Sequence, residues 1–288
     1  MPELLPINGG TYYLWKYVPS VPASAIFAIA WLVIAALLSW RMHTTRTWFC
    51  SAFIIGCFME FVGYCARAAA GNHTNAIVPY VVQSTMILLP PALFAATIYM
   101  CLGRIILVVE ASHLSIISPR WLTGLFVTGD VLSFIFLGNS APLTILSTDH
   151  PFLAIIGKWA VIGGLAIQLI SFSCFGITAV IFHSRIRKRP TEASFQVDQA
   201  WIKTLHMLYA VSLLIIVRSI FRIIEYVSGE NSYLLTHEWP LYVFDTVTMF
   251  AVAIVFFFLY PSDIVIRKMS HTPLQDFERD EGLVPKCT

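Results

Sequence analysis

The stretch Tyr209-Ala-Val-Ser-Leu-Leu-Ile-Ile-Val-Arg-Ser-Ile-Phe-Arg-Ile-Ile-Glu-Tyr226 decides how this chain is read. It is apolar and long enough to cross a membrane as a helix, yet it carries Arg218, Arg222 and Glu225. These stand at i, i+4 and i+7, so a helix puts all three on one face. On the insertion scale a charge near the bilayer centre costs roughly 2.5–3.5 kcal/mol, so such groups are expected to face partners, water or a ligand inside the protein. Other apolar stretches repeat the pattern. Glu60 and Arg67 lie in one, Asp130 in another and Asp245 in a third.

Composition agrees with a membrane protein. The chain is 58% hydrophobic and only 12% charged, with a mean hydropathy of +0.76. That fits an integral membrane protein with short loops. A net charge of +2 and the lack of a basic tract with interleaved aromatics argue against nucleic acid as a partner. Most of the six cysteines (Cys50, Cys57, Cys65, Cys101, Cys174) fall in apolar segments as small packing residues, so no structural disulfide is expected. The first twenty residues lack an apolar core long enough for a cleavable signal peptide.

About twenty apolar residues span the hydrocarbon, and seven stretches qualify: about 21–40, 49–69, 80–103, 121–140, 158–182, 205–227 and 240–260. The expected fold is therefore all-α, a polytopic bundle of seven transmembrane helices over 21–261. An outer N-terminal segment, 1–20, precedes it and a polar tail, 262–288, follows. Pro90-Pro91 is expected to kink the third segment. Pro240 suits the first turn of the seventh, and Pro261 ends it. Arg41, Arg46, Arg104, Arg120, the run Arg185 to Arg189, Lys203, Arg267 and Lys268 all fall in alternate loops or ends; the other loops lack Lys and Arg. The positive-inside rule then puts the N-terminus outside and the C-terminus in the cytoplasm. Asn72-His73-Thr74 is a glycosylation sequon on an outer loop, and Cys287 is an acylation candidate.

Depth follows from this topology. Arg218 lies near the midplane, with Arg222 and Glu225 about 6 and 10 Å further out. Glu60 lies near the centre of segment two, and Arg67, Gln83 and Asp245 lie further out in their segments. Asp130 and Gln168 fall near the middle of segments four and five. Glu60, Tyr64 and Arg67 share one helix face. The expectation is a polar chamber in the outer half of the bundle. Its near balance of acids and arginines suits a zwitterionic or amine-bearing guest. The competing reading is a structural lock, with Arg67, Arg222, Glu60 and Glu225 neutralising one another. Gly63, Gly163, Gly164, Ala92, Ala95 and Ala96 read as small packing residues, and Tyr12, Tyr13, Trp15 and Tyr17 as an interfacial belt.

At these residues the chain resembles a known family. Glu60-x-x-Gly63-Tyr64-x-x-Arg67 is similar to the second-helix signature of the fungal lipid-translocating exporters, the aminocholesterol-resistance-like membrane proteins. Gln83 with Leu88-Leu89-Pro90-Pro91-Ala92-Leu93-Phe94-Ala95-Ala96 and Tyr99 resembles the third helix. Gly129-Asp130-x-x-Ser133 and Gly163-Gly164-Leu165-x-x-Gln168 resemble the fourth and fifth. Arg218-x-x-Phe221-Arg222-x-x-Glu225, Gly229, Glu238, Tyr242 and Asp245 resemble the sixth and seventh, and Tyr17-x-Pro19-Ser20 the approach to the first. The likeness covers about 12–262. One position departs: the family commonly has a glutamine seven residues after the fourth-helix aspartate, where this chain has Leu137.

The resemblance implies a seven-helix protein that exports or translocates amphiphiles such as sphingoid long-chain bases and confers resistance to toxic lipids. It implies a fungal membrane, here expected to be the plasma membrane. A membrane lipid or lipid-like amphiphile is the expected partner, and the chain is expected to act without a cofactor, alone or as a homo-oligomer. The expected substrate-binding residues are Glu60, Tyr64, Arg67, Gln83, Asp130, Gln168, Arg218, Arg222, Glu225, Tyr242 and Asp245. Among them Glu60, Glu225 and Asp245 are the acids for a head group, with Arg67, Arg218 and Arg222 as counter-charges. Gly157-Lys158 lacks the rest of a P-loop, which argues against ATP-driven transport by this chain alone. A seven-helix receptor is the second reading, but Leu102-Gly103-Arg104 and Leu259-Tyr260-Pro261 carry none of the usual receptor motifs. A lipid enzyme is the third. The eight histidines fall at loops and helix ends on both sides, as His206 and His237 show, so no metal site is expected.

Overall fold

The computed structural model describes residues 15, 17, 19–71, 74, 76–115, 117–138, 151–191, 200–228 and 237–261; at 120, 137, 138, 151, 153, 154, 158 and 200 it describes the backbone only. The Asn72 sequon, the Leu137 side chain and the tail with Cys287 lie outside these limits. All regular structure among the described residues is helical. In order, the helices are α1 (Val21–Thr45), α2 (Ser51–Ala70), α3 (Ile77–Leu88), α4 (Pro90–Val108), α5 (Pro119–Gly138), α6 (Pro151–Lys188), α7 (Ala200–Val227) and α8 (Thr248–Phe258). A π-helical run, Leu241–Val247, leads directly into α8.

Six spans are long and apolar enough to cross a membrane: α1, α2, the α3–α4 pair, α6, α7 and the π-run with α8. The apolar stretch of α5, Trp121–Phe136, is shorter. In lipid every backbone polar group must be satisfied within the protein, and helices achieve this segment by segment. Two departures from the expected boundaries have simple causes. The fifth segment, expected at 158–182, is a 38-residue helix, so Arg185, Arg187 and Lys188 extend its last turns rather than forming a loop. Their charge suits the negative end of the helix dipole. The third segment is divided at Leu89, because Pro90 and Pro91 supply no amide hydrogens to the preceding turn.

Sequential neighbours pack together, α1 on α2, α2 on α3 and α4, α4 on α5, α5 on α6, α6 on α7 and α7 on α8; α8 returns to α1 and closes the ring. Helix α4 also reaches α6 and α7 and is buried along most of its length. The faces follow helical spacing. On α1, Trp31, Ala35, Leu38 and Met42 point inward, while Ile26, Ile29, Val33 and Trp40 point out where lipid would lie. Phe53 stacks between Phe94 at 4.2 Å and Phe256 at 4.0 Å, tying α2, α4 and α8.

Gly63 is a close-packing residue, since a Cβ there would stand 2.8 Å from Ile87 Cγ1. Gly163 is not: nothing lies within 4 Å of its Cβ direction, so the packing role expected for it fails. Cys50, Cys57 and Cys101 are buried, whereas Cys65 and Cys174 point outward rather than into the core.

Candidate functional site

The eleven expected residues do not form one chamber. They separate into three groups.

The first caps the bundle at the face where α1 begins. Arg67, near the end of α2, is fully buried. It donates to Glu238 Oε1 at 2.7 Å, to the Tyr17 hydroxyl at 3.1 Å, to Gln83 Oε1 at 3.3 Å and to the Tyr242 hydroxyl at 3.3 Å. The rings of Trp15, Tyr17 and Tyr242 stand 5.4–5.7 Å from the guanidinium carbon, within cation–π range. Glu238 also accepts from the Ser20 amide at 3.0 Å and from Tyr242 at 3.0 Å, while Tyr242 meets Ser24 Oγ at 3.1 Å. Arg67, Gln83 and Tyr242 therefore come together as expected. The anion that pairs with Arg67 is Glu238, not Glu60 or Glu225 as in the lock reading. Glu238 sits in a connection 171 residues away in sequence, where no periodicity flags it. The family resemblance includes Glu238, four residues before Tyr242, but assigns it no partner.

The second group lies deeper. Arg218 Nε donates to Asp245 Oδ1 at 2.5 Å, and Arg222 Nη2 donates to Asp245 Oδ2. Arg222 Nη1 reaches Glu225 Oε2 at 3.0 Å. Asp245 is thus clamped between two guanidinium groups, and Glu225 is held by one of them. Removing one partner of such a buried pair costs about 3–5 kcal/mol. Asp245 and Thr246 are the buried residues of the π-helical run, and π-turns recur at functional sites. The Thr246 hydroxyl meets that of Tyr64, which joins α2 to the last segment.

Glu60 lies beside this clamp, one turn before Tyr64 on α2. Its carboxylate interacts electrostatically with Asp245, Arg218 and Arg222. It is 1% exposed, and its Oε1 has no hydrogen-bond partner. Two clamp donors are also unused, Arg218 Nη1 and Arg222 Nε. Leaving a buried polar group unpaired costs about 1–3 kcal/mol, more when it is charged. Formal charge shows the same surplus. Arg218 and Arg222 are matched by Asp245 and Glu225, which leaves the Glu60 carboxyl over. A cationic group or a proton at Glu60 would balance the cluster.

The third group is Asp130 and Gln168, buried between α4, α5 and α6. Tyr99 and Ser171, neither in the expected set, stand beside Asp130. The structure does not join Asp130 to the clamp. No group of three or more His, Cys, Asp or Glu suited to a metal occurs among the described residues.

A family profile described as RTA1 like protein matches residues 53–268. Protein RTM1 of Saccharomyces cerevisiae is 38% identical over 76% of this chain and 70% of its own length. Protoporphyrin uptake protein 1 of that yeast is 37% identical over 71% of this chain and 66% of its own length. The yeast sphingoid long-chain base transporter RSB1 is 21% identical over 93% of this chain and 78% of its own length. No solved structure matches the chain.

Proposed function

The chain belongs to the RTA1-like family, and from that premise we propose that this integral membrane protein translocates amphiphiles with an amine-bearing head group, of the sphingoid long-chain base class. The observation that carries the reading is Glu60. It is the acid of the central cluster with a carboxylate oxygen unpartnered, and it stands beside a clamp that already neutralises the other two acids. An ammonium at Glu60 would satisfy that oxygen and cancel the surplus charge. Hydroxyls or a phosphate of the same head group would accept from Arg218 Nη1 and Arg222 Nε. In this reading Asp245 and Glu225 hold the arginines in place, and Glu60 meets the guest.

The name of the long-chain base transporter supports the substrate class, and that of the protoporphyrin uptake protein supports a family that moves amphiphiles of more than one shape. We further propose that the Arg67–Glu238 cap faces outward and that the protein resides in the plasma membrane. Arg41, Arg104 and Arg185 lie toward the opposite end, as the positive-inside rule requires of the cytoplasmic side.

The test uses sealed vesicles containing this protein alone. A fluorescent sphingoid base, a porphyrin and a neutral lipid analogue are each followed across the bilayer. The expected result is movement of the base, lost in Glu60→Gln. Movement of the porphyrin but not the base would replace the substrate class, and unchanged base movement in a folded Glu60→Gln protein would remove Glu60 from the mechanism.

A further inference from the structure

A second buried polar locus lies apart from the arginine clamp, on α4, α5 and α6. Asp130 of α5 is 3% exposed, and neither of its carboxylate oxygens has a hydrogen-bond partner. Gln168 of α6 is 2% exposed, and its Oε1 has no donor. The hydroxyl of Tyr99 on α4 is likewise buried and unpartnered.

The register of α5 against α6 brings these groups to one level. Ser133 Oγ donates to the Gly164 carbonyl at 2.6 Å. A Cβ on Gly129 would stand 2.9 Å from Ser171 Oγ. Residue 133 is thus level with 164, and 129 with 171, so Gln168 falls opposite the stretch that holds Asp130. From α4 the Tyr99 hydroxyl stands beside Asp130 and Ser171, close enough to interact with both, though no hydrogen bond of full geometry forms. Phe126, Phe172 and Phe175 surround the Tyr99 ring at 4.6–5.7 Å and close that side with apolar surface.

The donor set defines the ligand. It consists of oxygens only: a carboxylate, an amide carbonyl and hydroxyls. The charged groups of the locus reduce to one carboxylate, and no Lys or Arg among the described residues pairs with it. An anion or a phosphate would find no cation here. At Gly129 a methyl would press on Ser171, so α5 and α6 are in close contact beside Asp130. Hard oxygen ligands with one negative charge suit a small ion of one positive charge. An acid isolated within a membrane bundle is itself the usual mark of an ion or proton pathway.

We propose that Asp130, Gln168, Tyr99 and Ser171 bind one small monovalent cation, a proton or an alkali-metal ion, at a site separate from that of the head group. The bound cation cancels the unpaired charge at the α5–α6 contact and gives the unpartnered oxygens a common partner. Cation binding here needs no amphiphile and is independent of lipid transport.

The experiment uses the purified full chain in detergent. In one arm, thermal unfolding is followed over a series of sodium or potassium chloride, balanced with choline chloride to constant ionic strength. An ion that binds the folded state raises the midpoint by mass action. In the other arm, proton uptake per chain is counted in choline buffer from roughly pH 8 to roughly pH 5. An alkali site is supported by a saturable rise in midpoint that Asp130→Asn abolishes and whose half-saturating concentration Tyr99→Phe raises about tenfold. A proton site is supported by one fewer proton taken up in Asp130→Asn. Tyr99→Phe keeps its ring packing and decides both arms if Asp130→Asn does not fold, by shifting either the half-saturation or the pH of uptake. The proposal is overturned if Asp130→Asn leaves the proton count unchanged and wild type shows either no alkali-dependent rise or one that survives in both variants, or if Tyr99→Phe, standing alone, moves neither quantity.

Discussion

Arg218 Nη2 donates to the carbonyl of Ile87 at 3.3 Å, and Ile87 is the residue whose helical donor would have been the amide of position 91, a proline. The proline pair that divides the third span thus exposes a carbonyl at the depth of the charged clamp, and the clamp uses it. The same guanidinium holds Asp245. One side chain therefore joins the break in the third span to the π-helical run of the last.

Replacing Arg218 should be among the most damaging changes in the molecule. Arg218→Met leaves Asp245 with Arg222 alone and the Ile87 carbonyl without its donor. A loss of about 3–5 kcal/mol is expected, read as a fall in the unfolding midpoint of the purified protein. Pro91→Ala restores an amide for Ile87. Combined with Arg218→Met, it should recover about 1 kcal/mol relative to the sum of the single changes. Strict additivity would show that the carbonyl contact contributes nothing.

Glu60→Gln should behave in the opposite way to Asp245→Asn. Glu60 Oε1 has no partner to lose, so the amide should hold the unfolding midpoint or raise it slightly while transport of a sphingoid base disappears. Asp245→Asn weakens contacts with two arginines and should lower stability and transport together. Thermal unfolding and vesicle flux on the same preparations separate the two, and a large loss of stability in Glu60→Gln would contradict this account.

Two glycines offer a packing contrast. Gly63→Ala drives a methyl to 2.8 Å from Ile87 Cγ1 and 3.3 Å from Met86 Cβ, which should cost about 1–3 kcal/mol. Gly163→Ala meets no atom within 4 Å and should be neutral or stabilising by about 0.5–1 kcal/mol through helix propensity. The difference between the two midpoints checks the α2–α3 contact directly.

The cap depends on its one anion. Glu238→Ala leaves the buried Arg67 with neutral acceptors and frees the Ser20 amide, at a cost of about 1.5–3 kcal/mol. Glu238→Gln keeps an acceptor and should cost roughly half as much. Limited proteolysis before Val21 should quicken in Glu238→Ala and change less in Glu238→Gln. Equal cleavage in wild type and both variants would show that Glu238 does not hold the N-terminal segment.

Much of the architecture was legible because it rests on local pattern. Apolar runs of membrane length mark the spans, Pro90-Pro91 marks the break, and the i, i+4, i+7 spacing of Arg218, Arg222 and Glu225 puts them on one buried face. The ends of α6 were less legible, because basic residues that signal the membrane boundary also favour continued helix. Partner choice was not legible. Arg67 and Glu238 meet across a long sequence separation, and nothing in either segment names the other. The π-helical run was hidden because its wider turn leaves no mark in a pattern read at 3.6 residues per turn. Asp130 neighbours Tyr99 rather than the clamp, and position along a helix carries no information about azimuth between helices.

At one end of the bundle Glu238 and Tyr242 hold Ser20 and Ser24. At the other, Arg41 donates to the Phe257 carbonyl at 2.5 Å and Thr47 meets Tyr260. The first and last segments are therefore laced at top and bottom, like a garment fastened at collar and hem. Parting this seam would mean undoing both fastenings, so under the proposed function a long hydrocarbon tail would pass between bilayer and interior through another cleft around the ring.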